Sequence, residues 1–462
     1  MDKGARREFV SNLVFVRLAA FVILLLGLFQ PLVANATNNE AVAAFIKSTF
    51  ASKVKEASSE ALARNHEIVK AFYATRNFKP IWTRDSGPKG KGKALLQELK
   101  RSPVHGLSPG FYQVDKIENL MIASKPEDIA RLDLLLSGAF IDYAHDLRNG
   151  RIGNFEKSST NKVTPVRISA DELISGAADS GNLRGFASAF LNADERYVRL
   201  LAKYVEYDRI KKSGQWPKLE PSGKSIGKGQ KDKRMKAIRT LLLLSGDLAF
   251  SAADGGDRHD KDTQEAVRSF QSYNGLQVDG AIGAQTLAAL ATPPQARMDQ
   301  ILINLERRRW QNKELGETHI YANLADRSAR MVVDGKKAGF LKILPTKELK
   351  KTPTFYGRVT QILLDKQGEQ DAVLMISGDE NQISIEMPVS FLGGNSAKDY
   401  FGTIAEGIGN SGDAKQLTVN NPVEIFVTYV TAWANKDGKV NFRPDIFARD
   451  QKLKELLLSP EY

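Results

Sequence analysis

The stretch that most constrains how this chain can fold runs from Asp262 to Leu290, DTQEAVRSFQSYNGLQVDGAIGAQTLAAL, where two glycine turns divide a helical pattern at fixed offsets. Asp262 with Glu265 three residues on makes a capping-box-like start, and Ala266, Val267 and Phe270 then share one face. Asn274-Gly275 tolerates the left-handed backbone that closes a helix, and Leu276 and Val278 run extended into a second turn at Asp279-Gly280. Gly283 precedes a further helix whose Leu287 and Leu290 lie three apart on the buried side. Upstream, MKAIRTLLLLSGDL from Met235 to Leu248 supplies an opening helix. A three-helix packing unit follows from these positions, but no ligand does.

At 462 residues the chain is too long for one ordinary core, so two or three domains are expected. A formal charge of +12 suits nucleic acid, anionic lipid or the carboxylate-bearing peptides of a cell wall. No basic helix with interleaved aromatics stands out, so no nucleic-acid partner is expected. The chain has no cysteine, which excludes disulfides, thiolate metal sites and a cysteine nucleophile. His66, His105 and His145 lack partners at metal-ligand spacing, and the aspartates of Ala253–Asp262 lack the glycine of a calcium loop. No metal or other cofactor is expected, and that acidic run reads as a solvated turn leading to the cap at Asp262.

The N-terminus carries Lys3, Arg6, Arg7 and Arg17, an apolar run from Leu18 to Phe29 and the small-residue site Ala34-Asn35-Ala36. This is the pattern of a secretory signal peptide over residues 1–36, and the run falls short of the roughly 20 apolar residues that span a bilayer. The expected location is the periplasm, with an inner-membrane anchor as the alternative if the leader stays uncleaved. From Glu40 to about Ile210 apolar spacing is helical. Residues 222–232, rich in glycine and lysine, read as a flexible surface linker. Strand signals begin later: Met331 and Val333 precede a hairpin turn at Asp334-Gly335, and PVEIFVTYVTAW places Val423, Ile425, Val427 and Tyr429 on one face.

In the stretch from Asp262 to Leu290, AVRSFQ, NGL, VDG, IG and TLAAL, in that order, closely resemble the peptidoglycan-binding repeat module of bacterial wall enzymes. AFYATRNFKPIW, HGLSPGFY and DLLLSGAFIDYAHDLRNGRI resemble the helical scaffold domain of the large L,D-transpeptidases. MDQILINLERRRW (Met298 to Trp310), TPTFYGRV and the block from Tyr429 to Asp450 resemble flanks of that family's catalytic domain. The resemblance implies a multidomain α+β protein. A signal peptide (1–36) leads into a helical scaffold domain (37–221) and a basic linker (222–232). A small three-helix peptidoglycan-binding domain (233–292) and a reduced, mostly-β L,D-transpeptidase-like domain (296–462) follow. It also implies peptidoglycan, and other wall enzymes, as partners.

The same resemblance fails at the reactive centre. An L,D-transpeptidase attacks with a cysteine thiolate and a histidine base, yet the interval from Phe355 to Asn421 holds neither, and no histidine follows His319. In place of the reactive centre, VLMISGDENQISIEMP and SAKDYFGTIAEGIGNSG read as two or three strands and a short helix with glycine-rich edges. Ser377 before Gly378 and Ser390 before Phe391 are the replacement nucleophiles to consider, with Lys342 or Lys398 as base. A wall-binding protein without catalysis is expected, acting in wall assembly or its regulation, with no catalytic residue assigned. The alternatives are a peptidoglycan transferase with a non-cysteine nucleophile and a periplasmic protein-interaction scaffold. For wall recognition the candidates are Phe270, Gln271, Asn274, Asp279, Gly280 and Gly283, lining the groove between the module's helices.

Overall fold

The computed structural model describes residues 38–51, 65–152, 161–164, 166, 168–191, 194–311, 313–364, 371–379, 383–392, 408–411 and 414–458. The expected signal peptide, Lys398 and the short helix expected before Gly412 fall outside these residues. The architecture is multidomain α+β. Two compact units divide the chain, one made of Met1–Leu96 with Asp115–Ala139, the other of Gln97–Val114 with Phe140–Tyr462.

The first unit contains α1 (Asn38–Ala51), α2 (His66–Thr75), the short strands β1 (Thr83–Arg84) and β2 (Gly87–Pro88), and the first part of α3 (Gly90–Lys100). Most of α4 (Val114–Leu120) and the N-terminal half of α5 (Pro126–Asn149) complete it. Asp133 on α5 is wholly buried and organises the unit. It accepts hydrogen bonds from the amides of Ile81, Trp82 and Thr83 and from the hydroxyls of Thr83 and Tyr73. Trp82 Nε1 donates to Ser137 at 2.9 Å. Tyr73 and Trp82 therefore anchor the scaffold core, and their polar atoms are paired as burial requires.

In the second unit α6 (Ala170–Asp179) and α7 (Leu183–Ala189) lead to α8 (Glu195–Ser213), which lies along α12 (Pro294–Trp310). Tyr197, Leu200 and Tyr207 of α8 meet Met298, Ile301 and Leu305 of α12 in one core. Glu306 and Arg309 form a fully buried pair at 3.0 Å, and the Glu306 carboxylate also accepts the amides of Arg151 and Ile152. Between these long helices the chain forms α9 (Met235–Leu244), α10 (Lys261–Tyr273) and α11 (Ala284–Leu290).

The last part is a seven-stranded β-barrel. Its strands are β3 (His319–Asn323), β4 (Ser328–Val333), β5 (Lys336–Ile343), β6 (Phe355–Leu364), β7 (Asp371–Gly378), β8 (Ser384–Phe391) and β10 (Ala414–Thr428). They pair in the order β3-β4-β5-β8-β7-β6-β10, and a parallel pairing of β10 with β3 closes the circle. The short β9 (Ile408–Ser411) adds to the first half of β10. Asp334 and Gly335, both at positive φ, make the expected hairpin turn. Ile320, Met331, Leu341, Leu374, Val389 and Ile425 fill the interior with aliphatic side chains. Val423, Ile425 and Val427 point inward as the alternation predicts, while Phe426 on the outer face packs on Tyr356 with ring centroids 4.5 Å apart. The hairpin of β11 (Ala432–Ala434) and β12 (Val440–Phe442) and the helix α13 (Arg449–Leu458) end the domain.

Candidate functional site

The three-helix module packs Ile238, Leu241 and Leu242 of α9 against Val267 and Phe270 of α10 and Leu287 and Leu290 of α11. The cap of α10 differs from the expectation. Asp260, not Asp262, is the N-cap, accepting from the Thr263 amide at 3.0 Å. The reason lies in α9: Arg239 is buried and donates to Asp260 Oδ2 at 2.6 Å and to the carbonyls of Ala252 and Arg258, which draws the helix start to Asp260. Burial works to raise the Asp260 carboxyl, but Thr263 and Arg239 outweigh it and hold it below the usual carboxylate range.

The supposed linker is also part of the module. Ile226 is buried in the core and exchanges both backbone hydrogen bonds with Ile282, and Lys231 bridges to Arg258. A single isoleucine in a run of glycine and lysine converts the segment from a tether into a strap. Beneath it His259 is fully buried, and burial lowers its pKa.

The structure brings the six candidate residues together but turns several inward. Phe270 belongs to the core. Gln271 is buried, and its amide staples the second turn. Nε2 donates to Asp279 Oδ1 (2.8 Å), the Ala281 carbonyl (2.9 Å) and Thr286 Oγ1 (3.2 Å), while Oε1 accepts the Asp279 and Gly280 amides. Asn274 donates to the Phe270 carbonyl at 2.8 Å and accepts from Arg297 at 2.8 Å. Asp279 is exposed, its carboxyl lowered by the Ala281 amide and then by Gln271. Gly280 sits at φ +77°, and a Cβ there would come within 2.8 Å of Gln264 Cγ. Gly283 meets no such crowding and precedes α11. The outward rim of the turn is thus formed by Arg268, Gln277, Val278 and Asp279.

The opposite side of the module is covered by the rest of its unit. Lys439, after the β11 turn, donates to Ser269 Oγ at 2.8 Å and pairs with the buried Asp247 at 3.1 Å, and its ammonium lies 4.9 Å from the Tyr273 ring centroid. Arg297 of α12 reaches Asn274 and the Ala289 carbonyl and stacks over Phe442 at 4.2 Å, with burial lowering its pKa. Arg443 donates to the Tyr273 carbonyl at 3.2 Å and pairs with Asp326. A cavity of about 30 Å³ remains between these groups, space for about one water. None of Arg239, Arg297, Lys439 and Arg443 was singled out by sequence, because each acts across a long sequence separation.

Ser390 lies directly opposite Lys342 on β5 and Asp371 on β7. Since Leu341, Ile343, Val389 and Ala372 face the barrel core, this row faces outward. Ser377 stands on the same outer wall, between Arg358 and Ser384.

With this geometry in place, the comparisons define a class. The family described as "Scaffold domain" matches residues 67–203, and the family described as "Putative peptidoglycan binding domain" matches residues 232–290. No curated protein matches the chain. The pairing is consistent with the L,D-transpeptidase resemblance and supports a cell-wall-associated protein with peptidoglycan as a partner.

Proposed function

We propose that the protein is exported, binds peptidoglycan through the three-helix module and does not turn it over, acting in wall assembly or its regulation as a degenerate relative of the L,D-transpeptidases. One juxtaposition carries this reading: a well-stapled binding module held against a barrel whose interior is filled and whose sequence offers no cysteine. The barrel serves as a platform that fixes the direction of the module's exposed rim, Arg268 to Asp279. Ser390 stands beside Lys342 and Asp371 on the outer face of the barrel, and no histidine follows His319 in the chain to serve it as base.

The test is sedimentation of the chain from Thr37 onward with purified peptidoglycan, followed by mass spectrometry of the wall fragments. Binding with unchanged cross-links and stem lengths is expected. Exchanged linkages abolished by Ser390→Ala or Ser377→Ala would establish the transferase alternative. Failure to sediment would leave the protein-interaction scaffold.

A further inference from the structure

A second opening lies on the outer wall of the barrel. It has a volume of about 620 Å³, within the range of small-ligand and peptide sites, and is lined by β4, β5, the β3–β4 turn and Leu392. Its walls combine two chemistries. Phe340 and Leu392 are 39% and 49% exposed, large apolar groups left open to solvent side by side. Around them stand Arg327, Lys337 and Lys342, all exposed, and among the described residues no carboxylate lies within ion-pairing distance of any of the three. The one acid in the lining, Asp326, is already taken by Arg443 and by the Ser328 hydroxyl. Lys337 holds its ammonium over the Phe340 ring, 4.0 Å from the centroid, and the Arg330 guanidinium lies 5.8 Å from it.

Arg327 adds a conformational argument. It closes the β3–β4 turn at φ +49°, a left-handed position that such hairpins ordinarily give to glycine. Its backbone is held by the Ile343 amide, which donates to the Arg327 carbonyl at 2.9 Å. A long cationic side chain where glycine would be less strained, aimed into a groove, is a placement that local folding does not favour.

We infer that this groove binds an acidic peptide, with two carboxylates on Arg327 and Lys342 and an apolar side chain against Phe340 and Leu392. Three cations with no carboxylate partner among the described residues, set around an apolar floor, fit the charges and the apolar side chain of such a peptide. The inference rests on the wall-binding reading, to which it adds a contact with stem peptides separate from the module.

The experiment is calorimetric titration of the chain from Thr37 onward with acetyl-Ala-Glu-Leu-Ala bearing a free C-terminus. Its C-terminal amide and phosphatidylglycerol vesicles serve as competitors. The free acid is expected to bind at least tenfold more tightly than the amide and to weaken with salt. Arg327→Gly should weaken it about tenfold while leaving the melting temperature unchanged or higher, because glycine suits the left-handed turn. Lys342→Gln should weaken it several-fold. Equal binding of acid and amide, no binding at all, preference for vesicles, or full affinity in Arg327→Gly would each overturn the proposal. Sedimentation with peptidoglycan is scored separately. A chain that sediments but ignores the peptide loses only the groove, and one that binds the peptide but not the wall loses the wall-binding reading.

Discussion

The module and the barrel place their polar side chains in opposite ways. In the module Gln271, Asn274 and Arg239 point inward, and with the half-exposed Asp260 they tie turns and caps together. In the barrel the interior is aliphatic and the charges stand outside. The difference follows from size. A unit of some sixty residues has too little apolar volume to hold its loops by packing alone, whereas a closed barrel buries enough hydrocarbon to do so. In the small unit each buried hydrogen bond therefore carries a large share of the order.

The comparison can be broken at its strongest point by Gln271→Ala. This removes an amide that satisfies two backbone N–H groups and a carbonyl in the second turn, and it should cost the module about 3 kcal/mol in urea unfolding. A loss under about 1 kcal/mol would show that the turn holds itself and that the contrast is wrong.

Lys439→Ala should have the next largest effect, about 1 to 2 kcal/mol, since it leaves the buried Asp247 with only the Ser245 and Ser269 hydroxyls. Hydrogen exchange would report it as faster opening of α10 with β7 unchanged. Equal acceleration in both would mean that module and barrel unfold together.

Acid should separate the two parts further. Burial lowers the His259 pKa in the folded module, so the unfolded chain takes up its proton first as pH falls below about 6.5. Stability contributed by the neutral ring is full above that value and is lost on acidification toward the folded pKa. The module's urea midpoint should fall between pH 7.5 and pH 5.5, and His259→Phe should flatten that slope. A slope unchanged in the variant would remove His259 from the account.

The smallest effect is expected for Ser390→Ala on the outer wall, within about 0.5 kcal/mol of the parent in thermal unfolding. A larger loss would mean that the row with Lys342 and Asp371 is a coupled network rather than a solvated face.

Local signals carried much of this fold. Asn274-Gly275, Asp279-Gly280 and Asp334-Gly335 turn where their left-handed tolerance predicts, and Val423, Ile425 and Val427 alternate inward. Period and turn chemistry act over a few residues, so a single chain displays them. The helix starts at Asp260, two residues before the cap its local pattern predicts, because Arg239, about twenty positions earlier, binds the Asp260 carboxylate. The strap at Ile226 is not legible in the sequence, because one buried residue in a basic run leaves no periodicity. Gln271 and Asn274 were legible as polar groups beside a turn, but their internal partners were not.

The sequence by itself determined the helices and turns of the module, the hairpin at Asp334-Gly335, the inward face of Val423, Ile425 and Val427, and the absence of a thiol chemistry. Only the tertiary structure decided that β10 returns to β3 to close the barrel, that Lys439 and Arg297 cover one side of the module, and that Arg327, Lys342 and Phe340 share a groove. Each of these joins residues far apart in the chain, and the free energy that selects them is gained only when both sides are present.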